Sequence, residues 1–127
     1  MKEKTNSTRK FFNLYKDECL KYIGRMGLPY TIRFSLDKGE SPYMLGACGS
    51  TPHARDAIIR LNRDWTPEYP LNKRTISGLA LHEAMELALA EYREFAMCRF
   101  VSEDEEEKIR HGVIANVHNL VFGREIR

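Results

Sequence analysis

Apolar residues recur at helical spacing in three long stretches of this chain. The first stretch covers residues 7–26, where apolar side chains return at every third or fourth position. Asn6 or Ser7 can cap its start, and Gly27 can end it. This pattern predicts an N-terminal helix that is preceded by a disordered tail of residues 1–6.

The second and third helical stretches lie in the C-terminal half of the chain. A central helix is predicted from about residue 73 to residue 96, and its middle is apolar on nearly every side. Ser102 and Glu105 then match a capping box that starts another helix, whose acidic first turn suits the helix dipole. One face of this C-terminal helix carries the apolar residues Ile109, Val113, Ile114, Val117, Leu120 and Val121.

Between the N-terminal and central helices the apolar pattern shortens to that of strands. Residues 30–36 alternate between apolar and polar, and residues 43–50 and 57–62 are a second and a third candidate strand. Residues 37–42 have the composition of a turn, and the two prolines of residues 64–72 indicate a loop. The order helix, three strands, helix, helix predicts an α+β fold, in which a small mixed sheet packs against the N-terminal, central and C-terminal helices.

Length and composition fit one ordinary soluble domain. The 127 residues are 43% hydrophobic and 30% charged, so we treat residues 1–127 as a single domain with one core. A net charge of +2 is too small to indicate nucleic-acid binding. Residues 1–27 hold seven Lys/Arg against three Asp/Glu, and residues 103–107 are all acidic. Such local charge is more typical of solvated helix faces than of a nucleic-acid surface.

The cysteines indicate a reducing compartment. Cys19, Cys48 and Cys98 are odd in number and far apart, with no Cys-x-x-Cys pair. This favours reduced, buried thiols over disulfides or a cysteine metal site. No stretch approaches the ~18 apolar residues of a membrane span, and the charged N-terminus lacks the apolar core of a signal peptide. We therefore expect a cytoplasmic protein with no membrane segment.

Three ionisable residues interrupt the most apolar part of the central helix. His82, Glu83 and Glu86 lie within residues 76–90, which are otherwise small or apolar. At 3.6 residues per turn, His82 and Glu86 share one helix face and Glu83 lies beside them. In a buried helix these charges need a partner, a metal or a cleft. On an exposed helix a His–Glu pair is a routine contact worth ~0.2–0.5 kcal/mol, and spacing alone favours this ordinary explanation.

The same residues come close to a zinc motif. Zinc hydrolases often present His-Glu-x-x-His on a helix, where both histidines bind the metal and the glutamate activates water. Here His82 is the predicted first metal ligand and Glu83 the predicted catalytic base. Glu86 occupies the position of the second histidine, which gives the motif HExxE, and a glutamate can bind zinc through oxygen.

A third metal ligand has to come from elsewhere in the chain. On the C-terminal helix, Glu107, His111 and His118 lie along one line at the border of the apolar stripe. If that helix packs on the central one, this line can face the motif. We choose His111 because it is the middle residue of the three, and Glu107 and His118 stay as alternatives. His53, in a predicted loop, is interpreted as a surface histidine.

Taken together, the elements resemble the minimal zincin metallopeptidases. A helix, strands at residues 30–36 and 57–62, a loop and the HExxE helix follow in the order that those proteins show. The outline looks most like the small SprT-like and phage-encoded members of the group, and it covers about residues 8–122. The resemblance implies that His82 binds zinc and that Glu83 is the general base, while Glu86 departs from the family motif.

This resemblance implies a metal-dependent hydrolase, a metallopeptidase that uses a metal-activated water. The expected cofactor is Zn²⁺, with another divalent cation left open, and the expected partner is a protein or peptide. The edge of the strand at residues 57–62 is predicted to hold an extended peptide by β-addition. The alternative is a catalytically degenerate zincin-like domain that acts as a protein-binding module. Neither a nucleic acid nor a membrane is implied as a partner.

Overall fold

The computed structural model describes residues 2–39, 44–64, 72–97 and 102–123, with side chains from residue 8 onward. Within these ranges the order of elements is α1 (Lys2–Met26), β1 (Thr31–Asp37), β2 (Gly46–Thr51), a 3-10 turn (Pro52–Ala54), β3 (Asp56–Asn62), α2 (Lys73–Ala88), α3 (Ala90–Met97) and α4 (Glu103–Phe122). The predicted α+β fold is confirmed. No helix in the described part of the chain is both long enough and apolar enough to cross a membrane.

The N-terminal helix is longer than the sequence pattern indicated. It begins at Lys2, upstream of the predicted caps Asn6 and Ser7, so residues 2–6 are helical rather than a disordered tail. Residues 2–6 contain neither glycine nor proline, so no residue type in this segment opposes a helix. Gly27 ends the helix region as predicted, with a positive φ of 67°.

The predicted central helix is divided in two at Leu89. This corrects the expectation of one continuous helix over residues 73–96. Leu89 has φ −96° and ψ 5°, outside the helical region, and its carbonyl accepts from Arg93 at the start of α3. α2 is embedded in the core, whereas α3 buries none of its residues, so the chain leaves the core at this point. Residues 73–88 still carry the whole HExxE motif in one helix.

The three strands form a mixed sheet in the order β1-β3-β2. β3 pairs parallel with β1 and antiparallel with β2. β2 begins at Gly46, and residue 43, where the second strand was predicted to start, lies outside the described residues. Because β3 is paired on both sides, the predicted docking of a peptide on the edge of residues 57–62 is wrong. Within the described residues, the two edges of this sheet belong to β1 and β2.

The core lies between α1, α2 and the sheet. Ile59 of β3 and Tyr15 of α1 are both fully buried. The Tyr15 hydroxyl donates to the carbonyl of Arg60 at 3.1 Å, and the hydroxyls of Tyr22 and Ser77 are 2.8 Å apart. α1 is therefore hydrogen-bonded to the sheet on one side and to α2 on the other, which fixes the position of α2.

α4 packs on α2 with a face that mixes polar and apolar residues. Of the six apolar residues that the sequence places on one side of α4, only Ile114 is buried. Its other buried residues are Glu106 and Arg110, both of which form ion pairs. The exposed apolar residues are Ile109, Val113, Leu120 and Val121. The packing face of α4 thus combines the buried ion pairs with Ile114, and Val117 and Phe122 also pack against the core while partly exposed.

Candidate metal site

The start of α2 is fixed by a capping box, which sets the direction of its functional side chains. The Asn72 side chain accepts from the backbone N–H of Thr75 at 2.9 Å, and the Thr75 hydroxyl accepts from the backbone N–H of Asn72 at 3.0 Å. From this start, one turn of helix separates Gly78 from His82 and His82 from Glu86. These three positions therefore share one face of α2.

α4 runs antiparallel to α2 along this face. Gly78 faces His118, and one turn further along α2 the rings of His82 and His111 lie 5.4 Å apart between centroids. A Cβ atom at position 78 would lie 2.8 Å from His118 Nε2, closer than a normal non-bonded contact. Glycine at this position therefore lets α4 approach closely enough for histidines on the two helices to meet.

His82, Glu86 and His111 form one cluster between the two helices. Each offers one ligand atom, and these atoms all lie within 4.8 Å of one another. His111 Nε2 is 3.6 Å from Glu86 Oε1. His82 and Glu86 are half-buried and His111 is exposed, so the cluster is open to solvent on the α4 side. The structure thus brings together the three residues that the sequence predicted as metal ligands.

The surroundings of His82 favour its neutral form. Burial lowers the pKa of His82 below its ordinary value; Glu86 opposes this shift, and His111 and Arg110 add to it. A neutral imidazole is the form that binds a metal ion. His82 is therefore prepared for ligation at neutral pH.

Glu86 is already engaged by a cation. Its Oε1 atom accepts from Arg110 Nη1, and Arg110 Nε is 3.1 and 3.0 Å from the two carboxylate oxygens of Glu106. Arg93 Nε lies 3.3 Å from Glu106 Oε1 on the far side and its Nη2 lies 3.5 Å from Glu103. A chain of alternating charges therefore runs from Glu86 through α4 to α3.

Glu83 lies on the buried side of the motif. It is 4% exposed, and no hydrogen bond or ion pair within the described residues reaches its carboxyl group. Burial raises the pKa of Glu83 to about 8; the charge of Glu86 adds to the rise and that of Arg110 opposes it. An acid with a pKa near neutral is suited to accept and return a proton in catalysis.

The remaining predicted candidates lie outside the cluster. His118 packs on the ring of Phe122, with 4.8 Å between centroids, and against Gly78. Glu107 is exposed on α4 and does not belong to the cluster. His53 is exposed in the 3-10 turn, as expected for a surface histidine. Of the three candidates on α4, His111 is the one that lies beside His82 and Glu86.

Sequence reasoning missed the arginine that contacts the site. Glu106 and Arg110 are four residues apart on α4, and this spacing is a visible signal for an ion pair. The contact from Arg110 to Glu86 spans 24 residues and depends on how α2 and α4 align, which the sequence does not reveal. Arg93 and Glu103 were missed for the same reason.

The described cysteines are free thiols. Cys19 is buried and Cys48 half-buried, and neither is in a disulfide. Burial raises the pKa of Cys48 to about 12, with further contributions from Glu83 and Glu86, which places β2 close to the HExxE segment. Burial also raises the pKa of Cys19 well above its ordinary value. Cys98 lies outside the described residues.

Two clefts in the described part of the chain are separate from the cluster. Two clefts of about 270 and 190 Å³ occur in the described part of the chain, and neither is lined by a residue of the cluster. The first cleft is lined by Met44, Gly46 and Leu61. The second is lined by Leu28 and Pro52 together with Leu87 at the end of α2. Both clefts are therefore distinct from the candidate metal site.

Comparison with protein-family models, curated proteins and solved structures gives no match to this chain. Its function has to be argued from the residues themselves.

Proposed function

We propose that this protein is a metal-dependent hydrolase of the zincin metallopeptidase type, with the ion held by His82, Glu86 and His111. The observation that carries the proposal is the spacing of the three ligand atoms, which lie within 4.8 Å of one another on two packed helices. Two imidazoles and one carboxylate are a donor set found in catalytic zinc sites, so these residues fit the ion by chemistry as well as distance. Another divalent cation would also fit this set.

The residues of the site have distinct roles in this proposal. A bound zinc ion would polarise water and a substrate carbonyl. Glu83, whose pKa of about 8 lies near the working pH, takes the proton from the attacking water at its carboxylate and returns it to the leaving amine. His82 and His111 contribute neutral nitrogen atoms, and Glu86 contributes negative charge.

The proposed substrate is an extended segment of a protein or peptide. β2 packs against α2 and is paired only with β3, so its other edge is open within the described sheet. An extended chain can add to such an edge through backbone hydrogen bonds. We further propose that the protein acts in the cytoplasm, where free thiols such as Cys19 and Cys48 are usual.

One observation favours the alternative, a zincin-like domain that has lost catalysis and binds proteins. Arg110 occupies an oxygen of Glu86, as expected if an ion pair has replaced an ion. Exposed apolar residues on α3 and α4 would then serve a partner, foremost Phe95 at 62% and Leu120 at 86% exposure.

Hydrolysis by zinc-loaded protein separates the two functions. Untagged wild type is loaded with zinc and mixed with a fluorescently labelled unfolded protein, beside Glu83→Gln and the exposed control Glu107→Gln. We expect cleavage by wild type and Glu107→Gln, and none by Glu83→Gln although it binds zinc equally well, because Glu83 is the base and not a ligand. If zinc-loaded wild type cleaves no faster than Glu83→Gln, the protein is not a hydrolase of this type and the binding module is the better account.

A further inference from the structure

Arg110 and the candidate metal site use the same atom. Glu86 Oε1 is the oxygen that lies 3.6 Å from His111 Nε2, and it is also the oxygen that accepts from Arg110 Nη1. The Arg110 side chain is only 6% exposed, so little water screens its charge. A guanidinium in this position repels a second cation, since charges interact strongly where water is excluded.

Arg110 also contacts a second carboxylate, so it keeps a charged partner when its contact with Glu86 is lost. Its Nε atom lies 3.1 and 3.0 Å from the two oxygens of Glu106, whose side chain is fully buried. The Nη1 group can therefore leave Glu86 while the guanidinium stays paired with Glu106. A buried arginine without this second partner would be strongly destabilising.

Glu86 is free to change partners in the same step. Its side chain is 21% exposed, and it lies at the solvent-facing border between α2 and α4. Arg93 contacts Glu106 from α3 at 3.3 Å, so the charge of Glu106 stays compensated throughout. The rearrangement thus needs a rotation of one carboxylate and one guanidinium group, and no movement of a helix.

We propose that Arg110 competes with the divalent ion for Glu86 and so sets the ion concentration at which the site fills. The inference rests on the proposed metal site and adds its regulation. Without an ion, Arg110 neutralises Glu86 and keeps α2 and α4 together. When an ion binds His82 and His111, Glu86 turns to it and Arg110 withdraws onto Glu106. The site is therefore empty at low ion concentration and fills only when the ion is abundant.

Zinc titration of the full untagged chain tests this competition. The test variant is Arg110→Gln combined with Glu106→Gln, which removes the competitor together with the fully buried carboxylate that it pairs with. The matched control is Glu105→Gln combined with Lys108→Gln, which makes the same charge changes at exposed positions of α4. Circular dichroism and thermal unfolding establish that each variant is folded.

We expect the test variant to bind zinc at least ten times more tightly than wild type, and the control to bind within a factor of two of wild type. If wild type binds zinc and the folded test variant binds it no more tightly, Arg110 is not a competitor, while the metal site stands. If neither protein binds zinc, the proposed metal site fails and this inference fails with it.

A second measurement, made on wild type, tests the proposal even if the test variant does not fold. The side-chain N–H resonances of Arg110 are followed by nuclear magnetic resonance during addition of zinc. We expect them to shift and to reach a plateau at one zinc per chain, because Nη1 leaves Glu86. Resonances that stay in place while zinc binds would overturn the proposal.

Discussion

The Glu83→Gln substitution is predicted to stabilise the ion-free protein at neutral and alkaline pH. Glu83 is 4% exposed, and within the described residues no hydrogen bond or ion pair reaches its carboxyl group. Glutamine has nearly the same shape and carries no charge, so it removes the cost of ionising a buried carboxyl group. The substitution changes nothing at low pH, where the glutamic acid is neutral in both the folded and the unfolded chain.

The size of the effect follows from the pKa of Glu83, which rises from 4.5 to about 8 on folding. Between these values the folded chain keeps a proton that the unfolded chain releases, so the free energy of unfolding falls as the pH rises. The stabilisation that comes from keeping Glu83 protonated in the folded chain is therefore fully present below pH 4.5 and is lost as the pH rises through 8. At 1.36 kcal/mol per pKa unit, the loss amounts to about 3 to 5 kcal/mol.

Urea unfolding at a series of pH values between 5 and 8.5, with a chelator present, measures this effect. We expect the free energy of unfolding of wild type to fall steadily over this range, and that of Glu83→Gln to change much less. The control is Glu91→Gln, an exposed glutamate on α3, which should keep the slope of wild type.

If the free energy of unfolding depends on pH in the same way for wild type and Glu83→Gln, the reasoning is refuted, because Glu83 is then ionised in the folded protein at neutral pH. A variant that is less stable than wild type at pH 8 would refute it as well.

Three further predictions follow from the packing and the ligand set. Gly78→Leu should destabilise the fold by about 1–3 kcal/mol and weaken zinc binding, because the leucine side chain pushes α4 away from α2. Gly78→Ala should stay within about 1 kcal/mol of wild type, because the His118 side chain can rotate away. Urea unfolding and zinc titration of both variants test this. Glu86→His should strengthen zinc binding in calorimetry, since zinc favours imidazole over carboxylate, and unchanged or weaker binding would contradict this. At pH 8 the raised pKa of Cys48 should make its alkylation at least about tenfold slower in native than in denatured protein. Titration of denatured, unreduced protein should find three free thiols per chain, and a count of one would contradict the absence of a disulfide.

The fold was predictable from the sequence because its helices and strands have distinct apolar periods. The capping box of Ser102 and Glu105 further marked where α4 begins. The division at Leu89 was not predictable, since Ala88, Leu89 and Ala90 include no glycine or proline and favour a continuous helix. The position of β3 between β1 and β2 was also hidden, because strand order depends on how distant segments pair.

The candidate site was predictable in part. His82, Glu83 and Glu86 stand out because their helix is otherwise apolar. The line of polar residues on α4 offered Glu107, His111 and His118 as a third ligand without deciding among them. The engagement of Glu86 by Arg110 was missed, because it depends on the alignment of two helices rather than on local spacing. The apolar stripe of α4 indicated its packing face only in part. Ile114 and Val117 pack on the core, whereas Ile109 and Leu120 are exposed.

The central claim is that His82, Glu86 and His111 together bind one divalent ion. Calorimetric titration of untagged, chelator-treated protein with zinc tests it most directly, with His82→Ala, His111→Ala and the exposed control His53→Ala beside wild type. We expect one zinc per chain for wild type and for His53→Ala. Zinc binding should be at least about 100-fold weaker in His82→Ala and in His111→Ala, because even the loss of a partner outside the ligand shell weakens metal binding about 10- to 100-fold. Wild type that takes up no zinc, or four proteins that bind it equally, would contradict the claim.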